Sequence, residues 1–243
     1  MLDQRKILLT GGSGVLGTAL RRLLPELDAP SETDFDVTRS EQMEAYLEQR
    51  AIACILHAAA FVSPPLVEKD PLRALEVNII GTANVVRLCM KHGLRLVYIS
   101  TDYVFRGDQG NYAEEDSVHP VNKYAWSKLG GECCARLYDK ALIIRTTFGP
   151  DIFPYPRAFA DQWTSREPVS RIAALIVPVL ETDLTGVLHV GGPRKSVHEY
   201  ATGLDPARPI APLRRCEVDF DVPEDTSLNT ARYEALFSKG TPS

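Results

Sequence analysis

The stretch KILLTGGSGVLG, residues 6–17, lies near the start of this 243-residue chain and decides its fold. Residues 6–10 form a short apolar run typical of a buried strand, and glycines follow it immediately. Apolar side chains then recur at helical spacing as far as Leu24. A glycine turn between a strand and a helix lets backbone amides approach a phosphate, although an ordinary tight turn is the alternative. The turn residues expected to contact a dinucleotide are Gly11, Ser13, Gly14, Val15, Leu16 and Gly17.

The chain alternates between apolar runs and amphipathic stretches as far as about residue 146. We predict strands at 6–10, 26–29, 52–58, 94–99 and 141–145, and helices at 14–24, 40–50, 71–92 and 122–139. This alternation is typical of an α/β fold with a doubly wound, Rossmann-like parallel sheet. We therefore place a dinucleotide-binding domain at residues 1–147. Residues 148–243, which hold most of the prolines, are expected to form a small, shortened C-terminal substrate lobe with possible returns to the main domain.

Three side chains have the chemistry of a proton-transfer site. Tyr124 and Lys128 are four residues apart on a predicted helix, so they share one face. A free phenol has a pKa of ~10 and needs a nearby cation to act at neutral pH. Thr101 follows the buried run 94–99, and ligands of open parallel sheets bind at the carboxyl ends of strands. Taken singly, the pair could instead be a solvated helix face, and Thr101 a turn cap.

Several segments together resemble an extended short-chain dehydrogenase/reductase. They are TGGSGVLG (10–17), HAAA (57–60), VNIIGTANVV (77–86), STDYVF (100–105), YAWSK (124–128) and IIRTTFGP (143–150). STDYVF, the short chain and the late segment 224–236 are most similar to the dTDP-4-dehydrorhamnose reductase family. The resemblance implies that Thr101, Tyr124 and Lys128 are the catalytic residues. It also implies that Asn78 is the helix asparagine that supports a proton-relay water.

The resemblance implies a nicotinamide dinucleotide cofactor beside the glycine turn. The further contacts it implies are Asp36, Val37, Ala58, Ala59, Ala60, Asn78, Tyr124 and Lys128. The sequence gives mixed indications of whether the cofactor is NADP or NAD. Asp28 and Glu32 would select NAD, whereas Arg39 would accommodate NADP. We favour NADP. The expected substrate-binding residues are Asp102, Tyr103, Phe148, Arg157 and Trp163. Arg145 could meet a phosphate or form an ion pair between the two lobes.

The implied reaction is NAD(P)H-dependent reduction of a keto group on a nucleotide-linked deoxysugar. Two departures from the family pattern concern the substrate lobe. Phe148 stands where tryptophan is usual, and residues 159–163 join motifs that a longer helix and strand normally separate. Two other functions therefore stay open: a cofactor-binding regulatory or scaffold subunit without turnover, and a nucleotide-sugar epimerase or dehydratase.

The composition, with 44% hydrophobic and 24% charged residues, is that of an ordinary soluble globular protein. A formal net charge of -5 disfavours binding to nucleic acid or membrane surfaces, so we expect a small-molecule partner, with a homodimer as one possible assembly. The sequence contains neither an apolar stretch of spanning length nor a signal-like N-terminus, which favours a cytoplasmic location. The five cysteines and five histidines show no metal-ligand spacing, so we expect reduced thiols and no bound metal.

Overall fold

The computed structural model describes residues 3–237. Its strands are β1 (Ile7–Thr10), β2 (Cys54–His57), β3 (Arg95–Thr101), β4 (Ala141–Thr146), β5 (Phe148–Gly149), β6 (Arg157–Phe159), β7 (Trp163–Thr164), β8 (Glu167–Pro168), β9 (Gly186–Val190), β10 (Lys195–Ser196) and β11 (Ala211–Leu213). Its α-helices are α1 (Val15–Leu23), α2 (Ser40–Leu47), α3 (Pro64–Lys69), α4 (Pro71–Ala74), α5 (Thr82–His92), α6 (Lys123–Ala135), α7 (Val169–Leu180), α8 (Val197–Leu204) and α9 (Ala231–Phe237). A π-helix, Leu75–Gly81, joins α4 to α5.

A five-stranded sheet in the order β1-β2-β3-β4-β9 forms the centre of the fold, and all its neighbouring strands are parallel. Helices α1 and α7 pack on one face, and α2, α5 and α6 pack on the other. Because both faces are covered, β1, β2 and β4 are buried along their whole length, and each is apolar except at its carboxyl end. The predicted α/β class with a doubly wound parallel sheet is confirmed.

The predicted strand at 26–29 is wrong as an element. Only Asp28 pairs with the sheet there, through a single bridge to Leu8 of β1. The amide of Asp28 donates to Ile7 and its carbonyl accepts from Leu9. The next amide of a parallel ladder would belong to Pro30, which has none, so the pairing stops after one step.

The predicted helix at 71–92 is divided. It consists of α4, the π-helix and α5, and the separate helix α3 precedes it in a segment for which no helix was predicted. A proline pair, Pro64 and Pro65, begins α3, where a missing amide costs little. The other three helices are present, although α6 ends at Ala135 rather than near residue 139.

The part of the chain after residue 147 forms a small lobe and also contributes elements to the central sheet. After β4 it forms the pairs β5 with β8, β7 with β10 and β6 with β11, which build a small lobe beside the sheet edge. Helix α7 and strand β9 then return to the central sheet, and Tyr233 of α9 packs in the same core as α7. The two-domain division remains a prediction, and the main sheet takes its last strand from the C-terminal part. Within residues 3–237, no helix has both the length and the apolar character needed to cross a membrane.

Candidate functional site

A groove runs along the carboxyl ends of the central strands. Its larger part, about 410 Å³, lies between β1, β3, β4 and the N-terminal end of α6. Its smaller part, about 200 Å³, lies on the other side of the glycine turn. Both parts are lined by Gly11, Gly14, Ala58 and Ala60. The groove therefore passes directly over the turn that the sequence predicts to hold a diphosphate.

The glycine turn has two positions where a side chain would not fit. Gly11 has a φ of +74°, and a Cβ there would lie 2.6 Å from the amide nitrogen of Ala59. A Cβ on Gly17 would overlap the carbonyl oxygen of Gly11. These two glycines are required by the protein's own packing, which brings α1 and β2 close to the turn.

Gly14 has a different surrounding. A Cβ there would meet only the carbonyl oxygen of Gly11, at 3.2 Å, and otherwise open space. Gly14 is also the N-cap of α1, and it provides no side-chain cap to the first amides of that helix. Uncapped amides at a helix N-terminus favour an anion, so the space above Gly14 suits a diphosphate.

The smaller part of the groove contains several of the residues predicted to contact the cofactor. Asp36 and Val37 both line it, together with Ser13, Ala59 and Glu32. The Asp36 carboxylate accepts hydrogen bonds from the backbone and hydroxyl of Thr38, at 2.9 and 2.8 Å. These hydrogen bonds fix the loop at residues 36–38, which closes the smaller part of the groove.

Two residues bear on the cofactor choice. Asp28 does not face the groove, because its carboxylate accepts from Tyr46 at 2.6 Å and pairs with Arg50 at 3.2 Å. Arg73 lines the smaller part and lies over the Phe61 ring, 5.4 Å from its centroid. Sequence reasoning missed Arg73, because its helix carries no motif that marks it.

Thr101, Tyr124 and Lys128 all line the larger part of the groove. Lys128 is only 4% exposed, and its ammonium donates to the carbonyl of Ile99 at 2.8 Å. The same ammonium lies 4.4 Å from the centroid of the Tyr98 ring. Burial lowers the pKa of Lys128 to about 7, and the charge of Glu132 opposes that shift. The helix spacing and the end of β3 thus bring the three predicted groups together.

Tyr124 is a phenol that keeps its proton. Burial raises its pKa well above the ordinary value, and the neighbouring Thr101 side chain acts in the opposite direction. The nearby charge of Asp102 raises the pKa further. A protonated phenol in this position can donate to an acceptor in the groove but is a weak base.

The predicted substrate-binding residues fall into two groups. Asp102, Tyr103 and Phe148 line the larger part of the groove. Arg157 and Trp163 are not among its lining residues. Arg157 instead bonds the carbonyl of Pro212 and pairs with Glu217 at the outer side of the lobe. The ring of Trp163 is covered by the Arg194 guanidinium at 3.9 Å, because β7 turns this face toward β10.

Asn78 is buried in the π-helix and is not a lining residue of either part. Its amide accepts from the Phe61 backbone at 2.7 Å and donates to the Phe61 carbonyl at 2.9 Å. It also donates to the Ser127 hydroxyl at 2.8 Å. The side chain therefore ties the loop after β2, which lines the groove, to the helix that carries Tyr124.

Arg166 is a groove residue that sequence reasoning missed. It lines the larger part, and its charge acts on Asp102, Tyr103 and Tyr124. Within the described part of the chain, its Nε atom is buried without a hydrogen-bond partner. An unpaired guanidinium donor in a groove suits an anionic ligand. The proline-rich lobe carries no periodic pattern that could have placed this residue.

Arg145 lies in the core and has no access to a phosphate. It is 0% exposed, and it pairs with Glu132 of α6 at 2.6 Å. The hydroxyl of Ser100 donates to the same carboxylate at 3.0 Å. The phosphate alternative is therefore wrong. The ion pair is present, but it joins strand β4 to helix α6 at the central sheet and does not join the two predicted lobes.

Among residues 3–237, no cluster of three or more His, Cys, Asp and Glu side chains could hold a metal ion. His57, at the end of β2, is fully buried between the hydroxyls of Thr10 and Thr82, at 2.7 and 3.0 Å. Burial lowers its pKa to about 3, so it is neutral and structural.

The parallel sheet, the glycine turn and the Tyr124–Lys128 pair at the carboxyl edge define a nucleotide-binding protein of the short-chain dehydrogenase/reductase type. A family model described as the RmlD substrate binding domain matches residues 5–149. The chain belongs to this RmlD family.

The chain is similar to a dTDP-4-dehydrorhamnose reductase of Aggregatibacter actinomycetemcomitans, at 33% identity over 59% of this chain and 52% of that protein. It is also similar to methionine adenosyltransferase 2 subunit beta of Rattus norvegicus, at 30% identity over 54% of this chain and 42% of that protein. It thus spans about half the length of these curated relatives. The crystal structure of a dTDP-4-dehydrorhamnose reductase from Bacillus anthracis str. Ames in complex with NADP matches with a TM-score of 0.86 and 26% identity. That match covers 100% of this chain and 95% of the other.

Proposed function

We propose that this protein is an NAD(P)H-dependent reductase of a keto group on a nucleotide-linked deoxysugar, similar to dTDP-4-dehydrorhamnose reductase. One observation carries the proposal. Thr101, Tyr124 and Lys128 converge on a single groove that continues over an uncapped helix N-terminus. The similarity to named reductases, one of them bound to NADP, supports the same reading.

A bound nicotinamide dinucleotide would supply the hydride. The residues that would hold it are those of the glycine turn, together with Asp36, Val37 and the alanines Ala58 to Ala60. Tyr124 donates its proton to the oxygen of the substrate carbonyl as negative charge develops there. Lys128 supplies positive charge to that phenol and a donor toward the cofactor ribose, and Thr101 fixes the carbonyl oxygen.

The substrate class follows from the free groups of the groove. Arg166 offers its buried, unpartnered Nε to an anion, which fits a phosphate of the nucleotide portion. Tyr103 and Phe148 offer a ring edge and face to a sugar or a base. Asp102, also expected to contact the substrate, lines the same part of the groove and accepts hydrogen bonds from Thr101 and Thr226.

NADP is the favoured cofactor. An acidic group that bonds the ribose 2′-hydroxyl selects NAD, and Asp28 is instead bonded to Tyr46 and Arg50. Arg73 adds a positive charge to the smaller part of the groove, and this charge would stabilise a 2′-phosphate. Glu32 lines the same side and opposes this preference, so NADH remains an alternative hydride donor.

A homodimer and a cytoplasmic location belong to the proposal as well. Neighbouring helices α3, α4 and α6 leave Leu66, Leu72 and Trp126 at least half exposed, and apolar surface of this kind favours a second copy. All five cysteines are unpaired, and unpaired thiols are usual in the reducing cytoplasm.

The test of the proposed function is the stoichiometry of cofactor oxidation. Purified protein would be mixed with NADPH and dTDP-4-dehydrorhamnose, and the absorbance of NADPH followed to completion. We expect one NADPH oxidised for each keto-sugar reduced. Conversion of the sugar without net oxidation would indicate an epimerase. Binding of NADPH without turnover would indicate a regulatory or scaffold subunit, and the rat relative is named as a subunit of methionine adenosyltransferase 2.

A further inference from the structure

Thr146, the last residue of β4, carries a buried hydroxyl that the packing of the protein does not use. The residue is 2% exposed, and within the described part of the chain its Oγ1 atom has no hydrogen-bond partner. Every other buried threonine among residues 3–237 has a hydrogen bond to its hydroxyl. These are Thr10, Thr82, Thr101, Thr147, Thr164 and Thr226. An unpaired buried hydroxyl lowers stability, and valine would have nearly the same shape without that cost.

Thr146 is one of the residues that line the larger part of the groove, together with Leu16 and Ile99. Side chains alternate along a strand, so Thr146 lies on the same face of β4 as Ile144, which packs in the core that α1 and α7 cover. Its register partner in the neighbouring strand is Thr101. Rotation about one bond moves a threonine hydroxyl between staggered positions, so a ligand in the groove can reach the unpaired oxygen.

The course of the groove indicates which half of a dinucleotide comes to Thr146. The two halves leave the diphosphate in opposite directions, and the groove continues on both sides of the glycine turn. Tyr124, the proton donor of the proposed reaction, lies in the larger part. Hydride and proton go to the same carbonyl group, so the nicotinamide half occupies the larger part. Leu16 and Ile99 give the ring an apolar contact there.

The nicotinamide ring has one polar substituent, a carboxamide, which offers a carbonyl acceptor and two N–H donors. A hydroxyl can donate to the first or accept from the second. We propose that the Thr146 hydroxyl binds this carboxamide and holds the ring against rotation about its bond to the ribose. The inference rests on the proposed function, because it takes the ligand of the groove to be a nicotinamide dinucleotide.

Binding of two ligands to Thr146→Val tests the inference. One ligand is NADPH, and the other is 2′-phospho-ADP-ribose, which lacks the nicotinamide ring. Calorimetric titration should show the Kd for NADPH raised about 3–10-fold, because one hydrogen bond is lost, and the Kd for 2′-phospho-ADP-ribose changed less than about 2-fold. Thr146→Ser keeps the hydroxyl and should bind NADPH nearly as the unsubstituted protein does. An unchanged Kd for NADPH in the valine variant, or equal weakening of both ligands, would overturn the proposal.

Urea unfolding without cofactor tests whether the hydroxyl is free in the protein itself. Thr146→Val should unfold at the same urea concentration as the unsubstituted protein or a higher one, because it removes an unpaired polar group. Thr82→Val is the matched control, since the Thr82 hydroxyl bonds His57 at 3.0 Å and the Asn78 carbonyl at 2.7 Å. Its unfolding midpoint should fall. An equal fall in Thr146→Val would show that packing uses the hydroxyl and would overturn the inference.

These measurements need no turnover, so the inference and the proposed function can fail separately. If the protein oxidises no NADPH with dTDP-4-dehydrorhamnose but Thr146→Val weakens NADPH binding alone, the proposed function fails and the inference stands. If the unsubstituted protein turns over and Thr146→Val raises only the KM for the keto-sugar, Thr146 is a substrate ligand and the inference fails.

Discussion

Lys128 illustrates how burial gives an ordinary side chain its chemistry. The sequence placed it one helical turn after Tyr124, and the structure encloses its ammonium between the Ile99 carbonyl and the Tyr98 ring. The sequence could predict the pairing because helix geometry is local. It could not predict the enclosure, since Tyr98 and Ile99 come from β3, nearly thirty positions earlier, and only the fold brings them to α6.

The buried ammonium should make the stability of the protein depend on pH. The pKa of Lys128 is about 7 in the folded state and 10.5 ordinarily, so between these values the unfolded chain binds a proton that the folded protein lacks. The free energy of unfolding should therefore rise as the pH increases from about 7 toward 10.5. Lys128→Met should remove this rise and stabilise the cofactor-free protein by roughly 2–4 kcal/mol at pH 7.

The measurement is urea unfolding at several pH values, with the exposed Lys69→Met as the matched control. In Lys69→Met the free energy of unfolding should depend on pH as it does in the unsubstituted protein. If Lys128→Met showed the same dependence on pH, the burial of the Lys128 ammonium would be contradicted.

Arg166 shows the limit of reasoning from single residues. Its importance comes from an unpaired Nε and from a charge that acts on Tyr124 and Asp102, and both are properties of the surroundings rather than of the sequence. Arg157 and Trp163 show the reverse. Both have side chains suited to a nucleotide sugar, but lobe contacts with Pro212 and Arg194 occupy them.

The glycine turn is the element most completely predicted from sequence, because strand, turn and helix are contiguous and each leaves a local pattern. The strand at 26–29 failed for an equally local reason, the missing amide of Pro30. The π-helix at Leu75–Gly81 could not be predicted, since its apolar spacing differs little from that of an α-helix.

Glycine substitutions should separate packing from ligand binding in this turn. Gly17→Ala places a Cβ against the Gly11 carbonyl oxygen, so we expect a loss of about 3 kcal/mol or more in unfolding free energy. Gly14→Ala should cost less than about 1 kcal/mol but weaken NADPH binding at least about 10-fold, because its Cβ enters the groove.

Thermal unfolding and fluorescence titration with NADPH would measure the two effects. Gly203→Ala is the control, since that helical position has nothing within 4 Å, and alanine should stabilise it by about 0.5–1 kcal/mol. Equal destabilisation by Gly17→Ala and Gly14→Ala would contradict the assignment of separate roles.

Across the molecule, a buried ion pair connects the central sheet to α6. Burial alone would raise the pKa of Glu132, but bonding to Arg145 and Arg136 brings it below the ordinary value, so the carboxylate stays charged in the core. Arg145 and Ser100 connect it to β4 and β3. From the sequence, Arg145 could meet a phosphate or form an ion pair. The choice could not be predicted, because its neighbours come from strands and helices in distant parts of the chain.

Removing Arg145, the buried partner of Glu132, should lower the free energy of unfolding far more than removing Arg136, its half-exposed partner. Arg145→Met leaves a buried carboxylate with weaker compensation, and we expect a loss of about 3–5 kcal/mol in unfolding free energy. Arg136 pairs with the same carboxylate at 3.0 Å but is about half exposed, so Arg136→Met should cost at most about 1 kcal/mol. Urea unfolding of the two variants would measure this difference, and equal losses would contradict the account.

Residues 148–243 were expected to form a small substrate lobe with possible returns to the main domain, but local patterns could not say which segments return. In the structure α7 and β9 complete the central layers, and the lobe consists of short paired strands. The lobe reaches the groove through Arg166, which lines it, and through Thr164 and Thr226, which donate to Asp102.

Oxidation of NADPH with dTDP-4-dehydrorhamnose, compared between the original protein and Tyr124→Phe, tests the central claim. The phenyl ring preserves the packing but removes the proton donor. The account predicts that turnover falls by about 10²–10⁴-fold while the Kd for NADPH stays within about 3-fold. Undiminished turnover in Tyr124→Phe would contradict it.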